Sequence, residues 1–446
     1  MPDQTPQAPS EDHPLDSVVR AQKRGEARGV ASVCSANPFV IEATLLHARD
    51  TGTLVLVEST CNQVNQYGGY TGQTPADFQQ YLKHIAGQLD FPFEQAIVGG
   101  DHLGPSVWQG EPADEAMAKS RVLVRDCVRA GYTKIHLDAS MRCADDPQDA
   151  PLDKRVSARR AAELARVAEE AFGKLASQQV APRYVIGTEV PPPGGIQGEE
   201  EYLSVTPPAD VEETIEVTRE EFFKLELEAA WQRVVAVVTQ PGVEYGDQTI
   251  FDYHPEQAAN LSRFIENYDR LVYEAHSTDY QTRDALRHLV RDHFAILKVG
   301  PALTFAFREA VFALSMIEQE LLTGKPGETL STLADVLEQA MLDDPAHWEK
   351  YYHGSPEERR FARKYSLSDR SRYYWPVPSV RAALERLLAN LGQNPIPLTL
   401  LSQYSPVQYT RIREGSLANS PRALVMDKIT SVLSDYAYAC AFAGSE

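Results

Sequence analysis

Acids and histidines follow a series of short apolar runs in this sequence, and such side chains can transfer protons and bind metal ions. In "AIVGGDHLGP" (96–105), an apolar run reaches two glycines, and Asp101 and His102 then stand side by side. Burying many ionisable groups without a task is costly, so a repeated pattern of this kind indicates a site. The polar residues at the ends of the runs are Asn37, Glu58, Ser59, Asp101, His102, His136, Asp138, Glu189, Gln240, Glu274, His276, Asp279 and Lys298.

Three of these residues are predicted to bind a divalent metal ion. His102, Glu189 and His276 supply two imidazoles and a carboxylate, a set that leaves an open position for substrate. The three residues are far apart in the sequence, so the prediction depends on a fold that brings them together.

The neighbouring positions of Asp101 and His102 set a geometric condition. Adjacent residues of a strand point to opposite faces, so both side chains reach one site only where the strand has ended. The glycines at 99, 100 and 104 permit such an irregular backbone.

Some of these polar residues could have other roles than the ones favoured here. Ser59 and Asp279, taken singly, are as well explained by a core hydrogen bond or a helix cap. Lys298 could form a Schiff base if its amine were desolvated and neutral, but an ionic contact to a substrate oxygen is the favoured interpretation. The helix that starts after Lys298 could hold an anion at its N-terminus, with Arg308 nearby.

The apolar runs that carry these residues predict an α/β fold. Eight runs with strand character alternate with helical patterns, which implies parallel strands joined by right-handed crossovers. We therefore predict a (β/α)8 TIM barrel over residues 29–320, with a doubly wound open sheet as the alternative. In such a barrel the strand ends converge on one face, where active sites are found. The runs are 29–37, 53–60, 95–102, 134–140, 183–190, 233–240, 270–277 and 294–300.

The segments outside the barrel strands and helices have their own predicted structures and roles. Residues 1–28 are polar and Pro-rich and are predicted to be flexible, and residues 321–446 are predicted to form a helical C-terminal extension packed on the barrel. The long insert at 191–210 is expected to be a functional loop that closes the site.

Composition limits the classes of partner. The net charge of −20 argues against binding to nucleic acid or an anionic membrane surface, and no apolar run is long enough to span a bilayer. The five cysteines show no paired spacing. We expect a cytoplasmic protein that binds a small sugar, either alone or as a homo-oligomer.

Seven motifs show a family resemblance over roughly residues 17–440. They resemble the D-tagatose-1,6-bisphosphate aldolase GatZ/KbaZ-like subunit family, which implies a TIM barrel related to class II, zinc-dependent aldolases. The motifs are "SANPFVIEA", "VESTCNQVNQYGGYTG", "GGDHLGP", "KIHLDAS", "GTEVPPPGG", "YEAHSTDYQT" and "KVGPALTFAFREA".

The resemblance implies roles for several residues. His102 and His276 would bind the metal, and Asp101 would be the proton donor. Glu189 resembles a glutamate of those aldolases because a Gly-Gly pair and acidic residues follow it. Those aldolases carry a further zinc histidine where this chain has Gln240, so Gln240, Glu189 or water would complete the site. Zinc is the implied metal, with manganese, nickel or cobalt as alternatives.

The other polar residues at the predicted barrel mouth are assigned catalytic or substrate-binding roles. Asp101 is the main predicted proton-transfer residue and Glu58 the alternative, with Asp138 and Glu189 as further catalytic candidates. Substrate is predicted to contact Asn37, Ser59, His136, Glu274, Asp279 and Lys298.

The predicted reaction is metal-dependent aldol chemistry at C3–C4 of a ketohexose or its phosphate, of the tagatose and fructose type. Breaking and re-forming this bond with the aldehyde rotated would invert C4, and cleavage alone would give aldolase activity. The alternative is a non-catalytic subunit that stabilises a separate class II aldolase. A kinase function finds no support, because the sequence has no GxxxxGK[ST] loop.

Overall fold

Eight parallel strands close into a barrel in the computed structural model, which describes residues 13–175, 180–188, 203–393 and 395–441. Each strand pairs with the next in the chain, and the last pairs with the first. The barrel prediction is confirmed, and the open-sheet alternative is wrong. The strands are β1 (Val30–Cys34), β2 (Val55–Thr60), β3 (Ala96–Leu103), β4 (Lys134–Asp138), β5 (Arg183–Gly187), β6 (Val234–Thr239), β7 (Val272–Ala275) and β8 (Phe294–Val299).

The side chains that point into the barrel form two layers, one above the other along the strands. In β2, Val55 and Val57 pack in the core beneath the helices, whereas Leu56 belongs to the interior cluster. Glu58 shares the face of Leu56 because side chains two residues apart point the same way. The same step leads from Ile296 to Lys298 in β8. The lower layer is therefore apolar, and the upper layer, at the C-terminal mouth, is charged.

The segment before the barrel forms a helix, so the prediction of a flexible segment is wrong for residues 13–28. Helix α1 (Pro14–Lys23) begins with a capping box in which the His13 side chain accepts from the Leu15 N–H. Leu15, Val18 and Val19 are buried in the interior apolar cluster. Their helical spacing places them on one face, which closes the barrel at the end opposite the mouth.

Helices surround the barrel and continue into the extension. Helix α16 packs against α2, α9 and α10, which holds the end of the extension on the barrel wall. No described helix is long and apolar enough to cross a membrane. The helices after α1 are α2 (Pro38–Thr51), α3 (Pro75–Gln88), α4 (Ala113–Ala130), α5 (Lys154–Phe172), α6 (Pro208–Lys224), α7 (Glu228–Trp231), α8 (Pro255–Ile265), α9 (Arg283–Arg291), α10 (Pro301–Leu322), α11 (Leu333–Asp343), α12 (Pro356–Tyr365), α13 (Pro378–Gly392), α14 (Leu398–Tyr404), α15 (Pro406–Arg413) and α16 (Pro421–Cys440).

Part of the extension lies over the barrel mouth. The short 3-10 turns Pro345–His347 and Arg370–Tyr373 contribute residues to the cleft above the strands. Asp369 anchors the second turn, because its carboxylate accepts from Thr304 Oγ1 at 2.6 Å and pairs with Arg308 at 3.2 Å. The extension thus forms one wall of the site.

Candidate active site

Charged and imidazole side chains fill the upper layer of the barrel. They come from strands β2, β3, β4 and β8 and from the end of β7, and all of them are buried. The pattern of polar strand ends seen in the sequence is therefore brought together at one mouth. The residues are Glu58, Asp101, His102, Lys134, His136, Asp138, Glu274, His276 and Lys298.

A left-handed backbone at His102 lets Asp101 and His102 both reach this layer. His102 has φ 50°, and the pairing of β3 with β4 shifts between Gly100 and Leu103. A conformation of this kind costs about 1–3 kcal/mol and persists at functional sites. Gly104 is required nearby, since a Cβ there would lie 1.6 Å from the Asp138 carbonyl oxygen.

Each imidazole in the layer has a carboxylate beside it. His102 Nδ1 lies 2.7 Å from Asp138 Oδ2, and His136 Nδ1 lies 2.8 Å from Asp101 Oδ1. His276 Nε2 lies 3.0 Å from Glu274 Oε1. A carboxylate on one ring nitrogen fixes the ring and its tautomer, leaving the other nitrogen available for a ligand, as in metal-binding histidines.

The three imidazoles face one another. Their ring centroids are 5.0 Å apart for His102 and His276, 5.2 Å for His136 and His276, and 5.3 Å for His102 and His136. The buried Nε2 of His136 has no hydrogen-bond partner among the residues that the structure describes. Donor atoms of Asp101, His136, Glu274 and His276 all lie within 4.8 Å of one another. His102 is beside this group rather than in it.

The balance of charge also suits a divalent cation. Among the described residues of the layer, the four carboxylates of Glu58, Asp101, Asp138 and Glu274 outnumber the two ammonium groups of Lys134 and Lys298, and the other neighbouring groups are the three imidazoles. Two negative charges remain when the histidines are neutral. Buried charge needs compensation, and nitrogen and oxygen donors of this type fit zinc or a similar ion.

Carboxylates surround both lysines of the layer. Lys298 Nζ lies 2.8 Å from Glu58 and 3.0 Å from Asp101, and Lys134 Nζ lies 2.7 Å from Glu274. Burial opposes the charge of Lys298, but the carboxylates of Asp101 and Glu58 outweigh it and raise the pKa of Lys298 well above its usual range. A neutral amine for Schiff-base chemistry is not available in this arrangement.

Asp101 and Asp138 stay ionised at neutral pH. Burial opposes ionisation of Asp101, but His102 and Lys298 outweigh it and hold its pKa well below its usual range. Similarly, His102 brings the pKa of Asp138 to about 2 against the effect of burial. Burial lowers the pKa of His276 to about 4, so this imidazole is neutral and able to bind a metal.

A family model matches almost the whole described chain. The model described as D-tagatose-1,6-bisphosphate aldolase subunit GatZ/KbaZ-like matches residues 15–441. The chain belongs to this family.

Three solved structures show different degrees of similarity to this chain. A probable tagatose 6 phosphate kinase from Sinorhizobium meliloti 1021 is 47% identical, with 93% of this chain and 100% of that chain covered and a TM-score of 0.84. The YdjI aldolase from Escherichia coli K12 is 11% identical over 88% and 96% of the chains, with a TM-score of 0.40. The fructuronate-tagaturonate epimerase UxaE from Cohnella laeviribosi is 12% identical over 93% and 82%, with a TM-score of 0.46.

Several residues predicted for the site of this GatZ/KbaZ-like chain have other roles. Ser59 points outward, since its neighbour Glu58 points inward, and bonds Tyr132 at 2.9 Å. Asn37 caps α2, and the side-chain oxygen of Gln240 accepts from the N–H groups of its own turn, Gly242 and Val243. Local backbone and core groups thus engage the Ser59 hydroxyl and the side-chain oxygens of Asn37 and Gln240. Substrate contact by Ser59 and Asn37 and metal binding by Gln240 stay predictions. Glu189 and most of the 191–210 insert lie outside the described residues.

Asp279 also serves as a cap, for helix α10. Its Oδ1 accepts from the N–H groups of Gly300 and Ala302 at 3.0 and 2.8 Å, although the residue borders a small cavity at the mouth. Burial raises the pKa of Asp279 to about 6 from 3.8, despite these hydrogen bonds. Asp279 therefore has a structural role, and its predicted contact with substrate stays a prediction.

The raised pKa of Asp279 predicts a pH dependence of stability. A folded-state pKa above the unfolded value gives stabilisation that is complete below about pH 4 and lost as pH rises through 6. The Asp279→Asn variant keeps an oxygen for the same two bonds and carries no charge. We expect the free energy of unfolding of the wild type to fall relative to this variant between pH 4 and pH 7. Urea unfolding at both ends of the range measures this, and an unchanged difference would contradict it.

The structure adds residues that sequence reasoning missed. A cleft of about 760 Å³ above His102 and Asp138 is lined by Asn62 and Tyr70 from the loop after β2, and by the extension. The extension residues that line it are His347, Lys350, Tyr351, Arg370 and Tyr373. Lys350, Tyr351 and Tyr373 belong to the aromatic and basic stretches "WEKYYHG" and "SRYYWPVPS", and His347 and Arg370 each stand one residue before them.

Proposed function

We propose that this chain catalyses metal-dependent aldol chemistry at the C3–C4 bond of a ketohexose or ketohexose phosphate, with inversion at C4 as the main outcome. The observation that carries the proposal is the closed mouth in which three imidazoles, each with a carboxylate beside it, face one another. The family description, which names an aldolase subunit for tagatose bisphosphate, supports the substrate class.

We propose His136 and His276 as nitrogen ligands of one divalent ion, with His102 as the third imidazole beside them. Asp138, Asp101 and Glu274 hold the rings in place. A bound ion would draw electron density from the C2 carbonyl and C3 hydroxyl oxygens of the sugar.

Asp101 is proposed to move the proton of the C4 hydroxyl. Its carboxylate is ionised and lies beside Lys298 and His136, so it can accept the proton and return it. Loss of this proton turns C4 into an aldehyde as the C3–C4 bond breaks, and its electrons pass to C3 and the C2 carbonyl. After the aldehyde rotates, bond formation to its other face inverts C4. Lys298 keeps Asp101 and Glu58 in position during these steps.

A closed site is needed to retain the aldehyde fragment between the two half-reactions. Tyr70 and Tyr373, whose ring centroids lie 4.6 Å apart, border the cleft above the strands. Retention by these residues favours epimerisation over release of trioses. A non-catalytic role remains the second candidate, favoured by Gln240 at the position where the related aldolases have a zinc histidine.

The decisive experiment uses the purified chain without a partner. We expect the metal-loaded chain to convert fructose into tagatose, or to interconvert their phosphates, with little triose released. Proton NMR follows C4 inversion, and a coupled dehydrogenase assay follows triose. Activity that appears only after addition of a class II aldolase subunit would establish the non-catalytic role instead.

A further inference from the structure

The cleft over the barrel mouth contains a buried arginine without a carboxylate partner. Arg370 is 3% exposed, and its guanidinium carbon lies 3.0 Å from the ring centroid of Tyr351. Its Nη1 donates to the His347 carbonyl oxygen at 3.2 Å, and its buried Nε has no hydrogen-bond partner. Within the described part of the chain, Arg370 takes part in no ion pair of 4.0 Å or less.

This arrangement is unusual for a chain of this composition. Buried arginines are normally paired, and the sequence offers 63 acidic residues against 43 basic ones. The buried Arg160 and Arg308, for comparison, pair with Asp146 at 2.8 Å and with Asp369 at 3.2 Å. An unpaired guanidinium that borders a cleft indicates that the missing anion is supplied by a ligand.

A second guanidinium lies next to the first. Arg372 donates from Nη2 to the Tyr373 hydroxyl at 3.1 Å and from Nη1 to the Asp369 carbonyl oxygen at 3.1 Å. Arg372 borders the small cavity that contains Asp101 and Lys298, whereas Arg370 borders the larger cleft. Tyr373 and His102 line both spaces, so the two spaces meet at these residues.

The groups predicted to bind an anion at the start of α10 already bind carboxylates of the protein. Asp279 already accepts from the N–H groups of Gly300 and Ala302, Lys298 pairs with Glu58, and Arg308 pairs with Asp369. A negatively charged substrate group would meet carboxylates there. Among the described residues, Arg370 and Arg372 are the cations at the mouth that are buried or half-buried and have no acidic partner within 4.0 Å; Lys350, which also lines the cleft, is exposed.

We propose that Arg370 and Arg372 bind the phosphate of a ketohexose phosphate whose carbon chain lies over the barrel mouth. This inference rests on the proposed function and narrows its substrate. Two guanidinium groups match the two charges and the several oxygens of a phosphate ester, whereas a carboxylate would need only one. The cleft volume of about 760 Å³ accommodates a hexose phosphate.

The test compares phosphorylated and unphosphorylated ketoses. The full-length wild type, Arg370→Gln and Arg370→Lys are assayed with fructose 6-phosphate and fructose, and Arg129→Gln, an exposed arginine on α4, is the control. We expect Arg370→Gln to lower kcat/KM for the phosphate ester by about 10²-fold, since one partner of a buried charge pair is lost. Its effect on fructose should stay within about 3-fold, and Arg370→Lys should recover part of the loss.

Equal losses with both sugars, or a wild type that prefers fructose or a hexuronate to the phosphate ester, would overturn the proposal. Calorimetry with inorganic phosphate makes the test independent of turnover. If no ketose reacts, binding of phosphate that Arg370→Gln weakens at least 10-fold still supports the anion site. Absence of phosphate binding by the wild type would overturn it. If Arg370→Gln fails to fold, Arg370→Lys replaces it in both measurements, and a weakened preference for the phosphate ester is then the expected result.

Discussion

Replacing Asp101 by asparagine is expected to lower turnover by 10²-fold or more while leaving the fold intact. Asparagine has the same shape, and Lys298 keeps its contact with Glu58 at 2.8 Å, so the buried network loses a charge without a cavity. The amide cannot accept the C4 proton, and transfer by a positioned base contributes about 10²–10⁴-fold. Initial rates of C4 inversion, with circular dichroism to monitor folding, measure the effect.

The matched control is Asp335→Asn, an acid on the exposed side of helix α11, which should turn over as the wild type does. Glu58→Gln tests the alternative base. An Asp101→Asn variant with unchanged turnover would remove Asp101 from the mechanism. If Glu58→Gln is the inactive variant instead, Glu58 takes the role.

Removing the His276 imidazole is expected to abolish stoichiometric metal binding. The ring is buried, neutral at pH 7 and central to the three imidazoles, with centroids 5.0 and 5.2 Å from the other two. Loss of one protein ligand from a site of this type should weaken affinity by at least as much as the 10–100-fold seen for loss of supporting residues. Metal content of His276→Ala after dialysis, by plasma mass spectrometry, measures this.

The His136→Ala variant tests whether His136 binds the metal, as we propose from the structure, or the substrate, as the sequence predicts. The sequence assigned His136 to substrate, whereas the structure places a ring nitrogen of His136 in the group of donors, and its Nε2 has no hydrogen-bond partner among the described residues. We expect His136→Ala to lose metal as His276→Ala does, and the exposed His254→Ala to retain it. Full metal content in His136→Ala would return His136 to its sequence-based role.

The barrel was readable from the sequence because its strands are buried on both faces. Continuous apolar runs such as 234–239 have no polar face, and their regular alternation with helices leaves few topologies. Helix α1 was missed because only Leu15, Val18 and Val19 carry its pattern and a polar segment precedes them. A short helix of this kind is recognised only when its partner surface is known.

The candidate site was predicted in part for a related reason. Glu58 and Asp101 were found because strand ends converge in a barrel, which is a property of the fold class. Asn37 and Gln240 stand at strand ends too, but backbone N–H groups near them take up their side chains. Arg370 could not be assigned, since its place over the mouth depends on long-range packing of the extension.

The position of helix α1 has a practical consequence for mounting the protein on a solid support. Asp16 pairs with Arg183 at the first residue of β5, and His13 contacts Thr133 just before β4, so α1 lies at the face where the strands begin. A linker joined ahead of Pro14 would therefore attach the molecule by the face opposite the cleft. Molecules immobilised in this orientation would present their clefts to the flowing solution, whereas random attachment through surface lysines would leave some clefts facing the resin.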